Sequence, residues 1–211
     1  VAADGRISSP HLKQLLIEGL LDGGMDVSDL GFVATPVLYY GATHSESLTG
    51  IMITGSHNPK DYNGFKMMLG GNTLALDEIQ QLKQHMLSQK YSEGEGSVEA
   101  LDIRGAYMQS IMGDIKLARP LKAVVDCGNG IPGEMNPGLI EALGCEVTAL
   151  YCEVDGNFPN HHPDPGKLEN LLECISEVKR QKADLGLAFD GDGDRVGIVT
   201  PKGKICLLYT S

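Results

Sequence analysis

No apolar run in this 211-residue chain is long enough to cross a bilayer, and no stretch reads as a secretory leader, so the expected compartment is the cytoplasm. Positive charge is scarce: 17 Lys and Arg stand against 28 Asp and Glu, for a net charge of −11. That shortage argues against a nucleic-acid partner, whose phosphates need clustered basic side chains, and no membrane partner is expected. An anionic ligand would need local positive charge, from a metal ion or a few placed bases. Cysteine is sparse: Cys127, Cys145, Cys152, Cys174 and Cys206 include no C-x-x-C motif, and small buried thiols in a reducing compartment are expected. There is no initial methionine, and Val1–Ala3 reads as the end of a strand begun upstream, so a truncation at the front is expected.

What is present suits a packed core: 42% of residues are hydrophobic and 21% charged, with 27 Gly for tight turns. Ser9-Pro10 reads as a helix start with Ser9 as N-cap, and Gly23-Gly24 as its end. Strands are expected at Val27–Val33, Gly50–Ile53, Lys122–Asp126, Cys145–Cys152 and Leu185–Phe189. Further helices are expected at Pro36–Tyr40, Asp77–Leu87, Leu101–Ile115, Glu134–Leu143 (interrupted by Pro137) and Leu168–Arg180. The polar segment Ser92–Glu99 is the best linker. Strand–helix alternation on both sides of it predicts two consecutive α/β domains, residues 1–100 and 101–211, with mixed, mainly parallel sheets sandwiched by helices. Ligands of such sheets bind at the carboxyl ends of strands, where two motifs fall.

The first is Asp190-Gly191-Asp192-Gly193-Asp194. In an extended segment alternate side chains share a face, so three carboxylates converge, and they repel unless a cation sits among them. Mg²⁺ fits an all-oxygen donor set. An EF-hand does not: counted from Asp190, the sixth position is Arg195 where Gly is required, and the twelfth is Pro201 where Glu is required.

The second is Thr54-Gly55-Ser56-His57-Asn58-Pro59, a hydroxyl on a sharp turn near Lys60 and Lys66. It could be an ordinary polar turn. It could be a hydrolase nucleophile with His57 as base, although G-x-S-x-G is absent and adjacent residues rarely form such a pair. It could also carry phosphoryl groups, with the aspartate loop supplying a metal.

Gly128-Asn129-Gly130-Ile131-Pro132-Gly133 is a G-x-G-x-x-G string after a strand, with Glu153 and Asp155 further on, the outline of an NAD-binding dehydrogenase. Pro132 and Pro137 disturb the helix that would hold the pyrophosphate, which favours a plain glycine-rich turn. The adjacent His161 and His162 point apart and are expected to be structural, as Met67-Met68 and Tyr39-Tyr40 are expected to pack.

Taken together, Thr54–Pro59 (TGSHNP), Asp61–Lys66 (DYNGFK), Val124–Gly130 (VVDCGNG), Glu141–Gly144 (EALG), Tyr151–Lys167 (YCEVDGNFPNHHPDPGK) and Asp190–Arg195 (DGDGDR) resemble the α-D-phosphohexomutase superfamily, in its bacterial phosphomannomutase/phosphoglucomutase branch. The resemblance implies an Mg²⁺-dependent isomerase acting on a hexose phosphate, with glucose 1,6-bisphosphate as activator and intermediate. It implies Ser56 as the phosphoserine, and Asp190, Asp192 and Asp194 as metal ligands together with a Ser56 phosphate oxygen. Lys66 is implied as general acid/base, Arg195 as phosphoryl clamp, and His57 as a loop residue in the same site. Two departures stand out. The family's upstream segment, with a further active-site Arg, is absent, and Arg6 in Asp4-Gly5-Arg6 should not take that role. Cys206–Ser211 leaves the family pattern, and the third and fourth domains are absent, so this chain alone is expected to be inactive.

Overall fold

The computed structural model describes residues 1–208. The chain runs β1 (Ala2–Ala3), α1 (Ser9–Asp22), β2 (Val27–Asp29), α2 (Thr35–Thr43), β3 (Gly50–Ile53), β4 (Phe65–Leu69), β5 (Asn72–Thr73), α3 (Leu76–Ser88), β6 (Val98–Ala100) and α4 (Arg104–Asp114). It continues through β7 (Lys122–Asp126), α5 (Asn136–Ala142), β8 (Glu146–Leu150), α6 (Leu172–Gln181), β9 (Leu185–Phe189), β10 (Val196–Val199) and β11 (Ile205–Leu208). Of the tail expected to leave the family pattern, Cys206 to Leu208 extend β11 alongside β10, and residues 209–211 lie outside the described residues.

Two mixed sheets result, ordered β1-β3-β4-β5 and β11-β10-β9-β7-β8, with β2 and β6 as a separate parallel pair. Helix-connected strands pair in parallel, β1 with β3 and β7 with β8 and β9, as the alternation predicts. Antiparallel pairing is more prominent than expected, because β3–β4 and β9–β10 are hairpins. Each hairpin loop carries one of the two motifs.

In the second sheet, alternation along β7 sends Val124 to one face and Ala123 and Val125 to the other. Val124 packs with Cys174 and Val178, one turn apart on α6, while Ala123, Val125 and Cys127 pack with Ile140 of α5. The sheet is thus covered on both faces. The core of the first unit, built from Ala2, Val33, Val37, Leu38 and Met52, extends into the second unit through Ile131, with Met135 and Val154 against it. Each large aliphatic side chain buried there contributes roughly 1.5–3 kcal/mol. This shared core sets the two hairpin loops face to face.

Several local expectations change. Ser9 is the first helical residue, not the cap, because its hydroxyl is drawn to the buried Asp4 carboxylate at 2.6 Å. The strand expected over Val27–Val33 ends at Asp29, whose carboxylate accepts the Gly31 N–H and closes a turn. Pro137 opens α5 instead of interrupting it, following a short 3₁₀ turn at Ile131–Glu134. The segment Ser92–Glu99 is laid along the first unit. Gly94 and Gly96 donate N–H bonds of 2.9 Å to Asp22 and Leu21, and Val98–Ala100 pair with β2.

His161 fastens the long loop after β8 to the end of β7, with Nε2 at 3.0 and 3.1 Å from the two oxygens of buried Asp126. Burial disfavours the charged ring, but the Asp126 carboxylate outweighs it and the His161 pKa is raised. A raised folded-state pKa adds stability that is full below the unfolded value of about 6.5 and is lost as pH rises through the folded value. Unfolding by urea across this range should therefore show stability falling with rising pH, and His161→Gln should flatten the slope. An unchanged slope in the variant would remove this ion pair from the account.

Candidate active site

The serine loop joins β3 to β4, and its shape is held from beneath. Asp4, just after β1, accepts the Thr54 hydroxyl at 2.8 Å and the Gly55 N–H at 3.2 Å, and Thr54 Oγ1 in turn accepts the Ser56 N–H at 2.8 Å. Arg6, 1% exposed, spreads its guanidinium under the loop. Nη1 donates to the carbonyls of Pro59 (2.7 Å) and Tyr62 (3.0 Å), and Nη2 to those of Ser56 and Asn58 (both 2.8 Å). A side chain at Gly55 would meet Arg6 Cζ at 2.4 Å, so only glycine lets the arginine pass. Ser56 itself sits at φ 49°, a left-handed conformation that costs a non-glycine residue about 1–2 kcal/mol and that this scaffold enforces.

The aspartate loop joins β9 to β10 and faces the serine loop. Asp190, Asp192 and Asp194 present oxygens all within 4.8 Å of one another, and the first two are fully buried. Ser56 Oγ donates to Asp190 Oδ2 at 3.1 Å, and Arg195 Nε donates to the same oxygen at 2.9 Å. Lys66 on β4 donates from Nζ to Asp192 Oδ2 and Asp194 Oδ2, both at 2.6 Å. Thr35 at the start of α2 donates its hydroxyl to Asp192 Oδ2 at 2.5 Å and its N–H to the Asp192 carbonyl at 2.9 Å.

Charge is unevenly settled here. Burial, then repulsion from Asp192 and Asp194, pushes Asp190 up to about 7. Asp192 is equally buried, but Lys66 and Thr35 hold its pKa below the ordinary value. Lys66 is raised, since its two carboxylates outweigh its own burial. Among the described residues three buried side-chain polar atoms have no hydrogen-bond partner, Arg6 Nε, Asp192 Oδ1 and Arg195 Nη2, and the last two belong to this cluster. A cluster of three hard oxygen donors with an unpartnered buried carboxylate oxygen fits a divalent cation of the Mg²⁺ type.

The structure brings together all seven residues singled out in the sequence. His57 lies beside the serine, Nδ1 at 3.3 Å from Ser56 Oγ, with its pKa lowered by burial and then by Arg195. Sequence reasoning missed the residues that hold the others. Arg6 was set aside as a loop residue, and its role depends on four carbonyls that no pattern reports. Thr35 had only a helix start as its signal. His162 Nε2 meets the His57 carbonyl at 2.6 Å, in keeping with a structural part for the histidine pair. Tyr40 packs edge-on against Tyr107 as expected. Tyr39, one helical turn after Thr35, has its pKa raised by burial and by Asp194 and Asp192 against the pull of Lys66, so it belongs beside the site.

The dinucleotide reading fails on space. Side-chain carbons at Gly130 and Gly133 would lie 2.8 Å from the Gly191 carbonyl and 2.1 Å from the Cys152 carbonyl. The Ile131 N–H, one of those a pyrophosphate would need, donates to Gly191. These glycines admit neighbouring backbone, including the aspartate loop itself.

Known proteins resemble this chain along nearly its whole length. The family models for phosphoglucomutase/phosphomannomutase alpha/beta/alpha domains I and II match residues 1–93 and 105–203. The chain is 59% identical over 205 residues to a phosphomannomutase/phosphoglucomutase of Pseudomonas aeruginosa, covering 97% of this chain and 44% of that protein. It is 52% identical over 204 residues to a phosphoglucomutase of Neisseria gonorrhoeae, covering 96% and 44% respectively. A crystal structure of a phosphoglucomutase/phosphomannomutase family protein from Burkholderia thailandensis superposes with a TM-score of 0.94 at 48% identity, over 97% of this chain and 46% of that one. The chain thus spans less than half the length of the curated relatives it matches.

Arg6→Lys keeps the charge beside Asp4 but removes the fork that serves four carbonyls. The variant should lose about 2–3 kcal/mol in urea unfolding and become more readily cleaved by protease within residues 56–62. A loss below about 0.5 kcal/mol, within the range of an ordinary surface substitution, would mean that the loop holds its shape without the arginine.

Proposed function

Because the chain belongs to the phosphoglucomutase/phosphomannomutase family, we propose that it is the front part of a phosphohexomutase that interconverts hexose 1-phosphate and hexose 6-phosphate. The observation that carries this reading is the meeting of Ser56 with Asp190 at 3.1 Å, inside a group formed by three carboxylates, Lys66 and Arg195. Residues 1–100 form the unit that brings the phosphoserine loop, and residues 101–211 the unit that brings the metal loop.

Ser56, phosphorylated in the working enzyme, gives its phosphoryl group to one hydroxyl of the bound sugar phosphate. The bisphosphorylated sugar then returns the phosphoryl group at its other end to Ser56, so enzyme and product leave as they began. Glucose 1,6-bisphosphate is this intermediate for glucose and also the activator that charges Ser56. Asp190, Asp192 and Asp194, joined by a Ser56 phosphate oxygen, would hold Mg²⁺, which when bound neutralises charge on the phosphoryl oxygens. Arg195 stays charged throughout, and its unpartnered Nη2 is available to fork onto those oxygens. Lys66 is the general acid/base: as the free amine it takes the proton of the attacking hydroxyl and passes it to the departing Ser56 oxygen, and the second half-reaction runs the same proton transfer in reverse. Its ammonium is held charged by Asp192 and Asp194, so proton release has to accompany a loosening of that pairing. His57 lines the loop next to the serine hydroxyl. Little covalent chemistry is asked of the protein beyond this, since positioning and charge neutralisation supply most of the rate.

The substrate is a small phosphosugar, with no nucleic acid or membrane involved, in a cytoplasmic setting. Turnover by the 211-residue chain alone is not expected, since the sugar-reading groups belong to the further domains of such enzymes.

The test is peptide mass spectrometry after incubation with glucose 1,6-bisphosphate and Mg²⁺, with the full-length Pseudomonas aeruginosa protein as the positive control. One phosphoryl group on the Ser56 peptide, absent from Ser56→Ala, is the expected result. A phosphoryl group found on a different residue would overturn the Ser56 mechanism. In the full-length parent of this chain, Lys66→Met should slow transfer by about 10²–10⁴-fold, the usual contribution of a general acid/base.

A further inference from the structure

Asp192 uses its two carboxylate oxygens differently. Oδ2 accepts both the Thr35 hydroxyl, at 2.5 Å, and the Lys66 ammonium, at 2.6 Å. Oδ1 is buried and accepts from nothing among the described residues. Thr35 stands at the first turn of α2 with no exposure of its own, so its hydroxyl has no water to turn to. A second bond, from the Thr35 N–H to the Asp192 carbonyl at 2.9 Å, fixes the main chain on which the carboxylate rotates. Packing closes the junction: a side-chain carbon at Gly193 would lie 2.7 Å from Pro132 Cγ and 3.3 Å from Ala34 Cβ, so the loop is pressed against the start of α2.

From this we infer that Thr35 is a positioning residue for the cation: its hydroxyl locks the Asp192 carboxylate by Oδ2 so that Oδ1 is the oxygen presented to the metal. The inference rests on the metal site proposed above. Lys66 alone cannot do this, because its mobile ammonium is shared with Asp194 and its pairing has to loosen during catalysis. The threonine is the fixed partner, delivered by a helix of the first unit to a ligand of the second. It therefore also makes cation affinity depend on how α2 seats against the aspartate loop.

Thr35→Val has nearly the same shape and keeps the backbone bond to the Asp192 carbonyl, losing only the hydroxyl. Partners of metal ligands typically govern about 10–100-fold in metal affinity. Titration with Mn²⁺, followed by loss of the free-ion electron paramagnetic resonance signal, should show wild type binding one ion and Thr35→Val binding it about 10- to 100-fold more weakly. Thr35→Ser should recover most of the loss, and thermal melting in EDTA should be similar for all three proteins. Equal Mn²⁺ affinity in wild type and Thr35→Val would overturn the positioning role while leaving the metal site standing. Failure of wild type to bind Mn²⁺ would sink the metal site and this inference with it. A Thr35→Val protein that melts well below wild type in EDTA, with a Thr35→Ser protein that does not regain affinity, would make Thr35 a packing residue and likewise overturn the proposal.

Discussion

Three carboxylates crowded within 4.8 Å, two of them sealed from water, are the constraint around which the rest of this structure is arranged. At that spacing each pair of full charges repels by about 3.5 kcal/mol or more even at an effective dielectric constant of roughly 20. The fold answers with cations from both of its halves: Lys66 from a strand of the first sheet and Arg195 from the loop itself. The ammonium of Lys66 can reach Asp192 and Asp194 only if the two sheets face each other, so the electrostatics of the site and the seating of one unit on the other are a single problem. The shared apolar core through Ile131 works to the same end.

The candidate site was legible in the sequence where it stands in short contiguous strings. Ser56 and the three aspartates stand out by residue type and by their place just after apolar strands, whereas Lys66, within β4, entered through the family resemblance. The strands Gly50–Ile53, Lys122–Asp126 and Leu185–Phe189 were equally plain, being short apolar runs bounded by turn residues. What could not be read was pairing. The strands β4 and β10 carry no strong alternation of their own, yet they turn both functional loops into hairpins and increase the antiparallel share of each sheet.

The scaffold residues were hidden for a related reason. Arg6, Asp4 and Thr35 act over sequence separations of about 50 residues and more, through main-chain oxygens or a single hydroxyl. Such contacts leave no periodic trace. The glycine string at Gly128–Gly133 is the converse case, a familiar spacing whose physical reason here is the close passage of the aspartate loop and the Cys152 backbone. A motif states which residues are small; only the neighbours say what the room is for.

The grip of Arg6 on the serine loop has a consequence for change over time. The arginine holds oxygens of the main chain, at Ser56, Asn58, Pro59 and Tyr62, and asks nothing of the side chains attached there. Shape and chemistry are thereby specified by different parts of the protein. Beyond Thr54 and Gly55, whose side chain and lack of one shape the turn, side chains such as those of Asn58 and Tyr62 can be exchanged, altering what approaches the serine, while the curve that presents it stays the same.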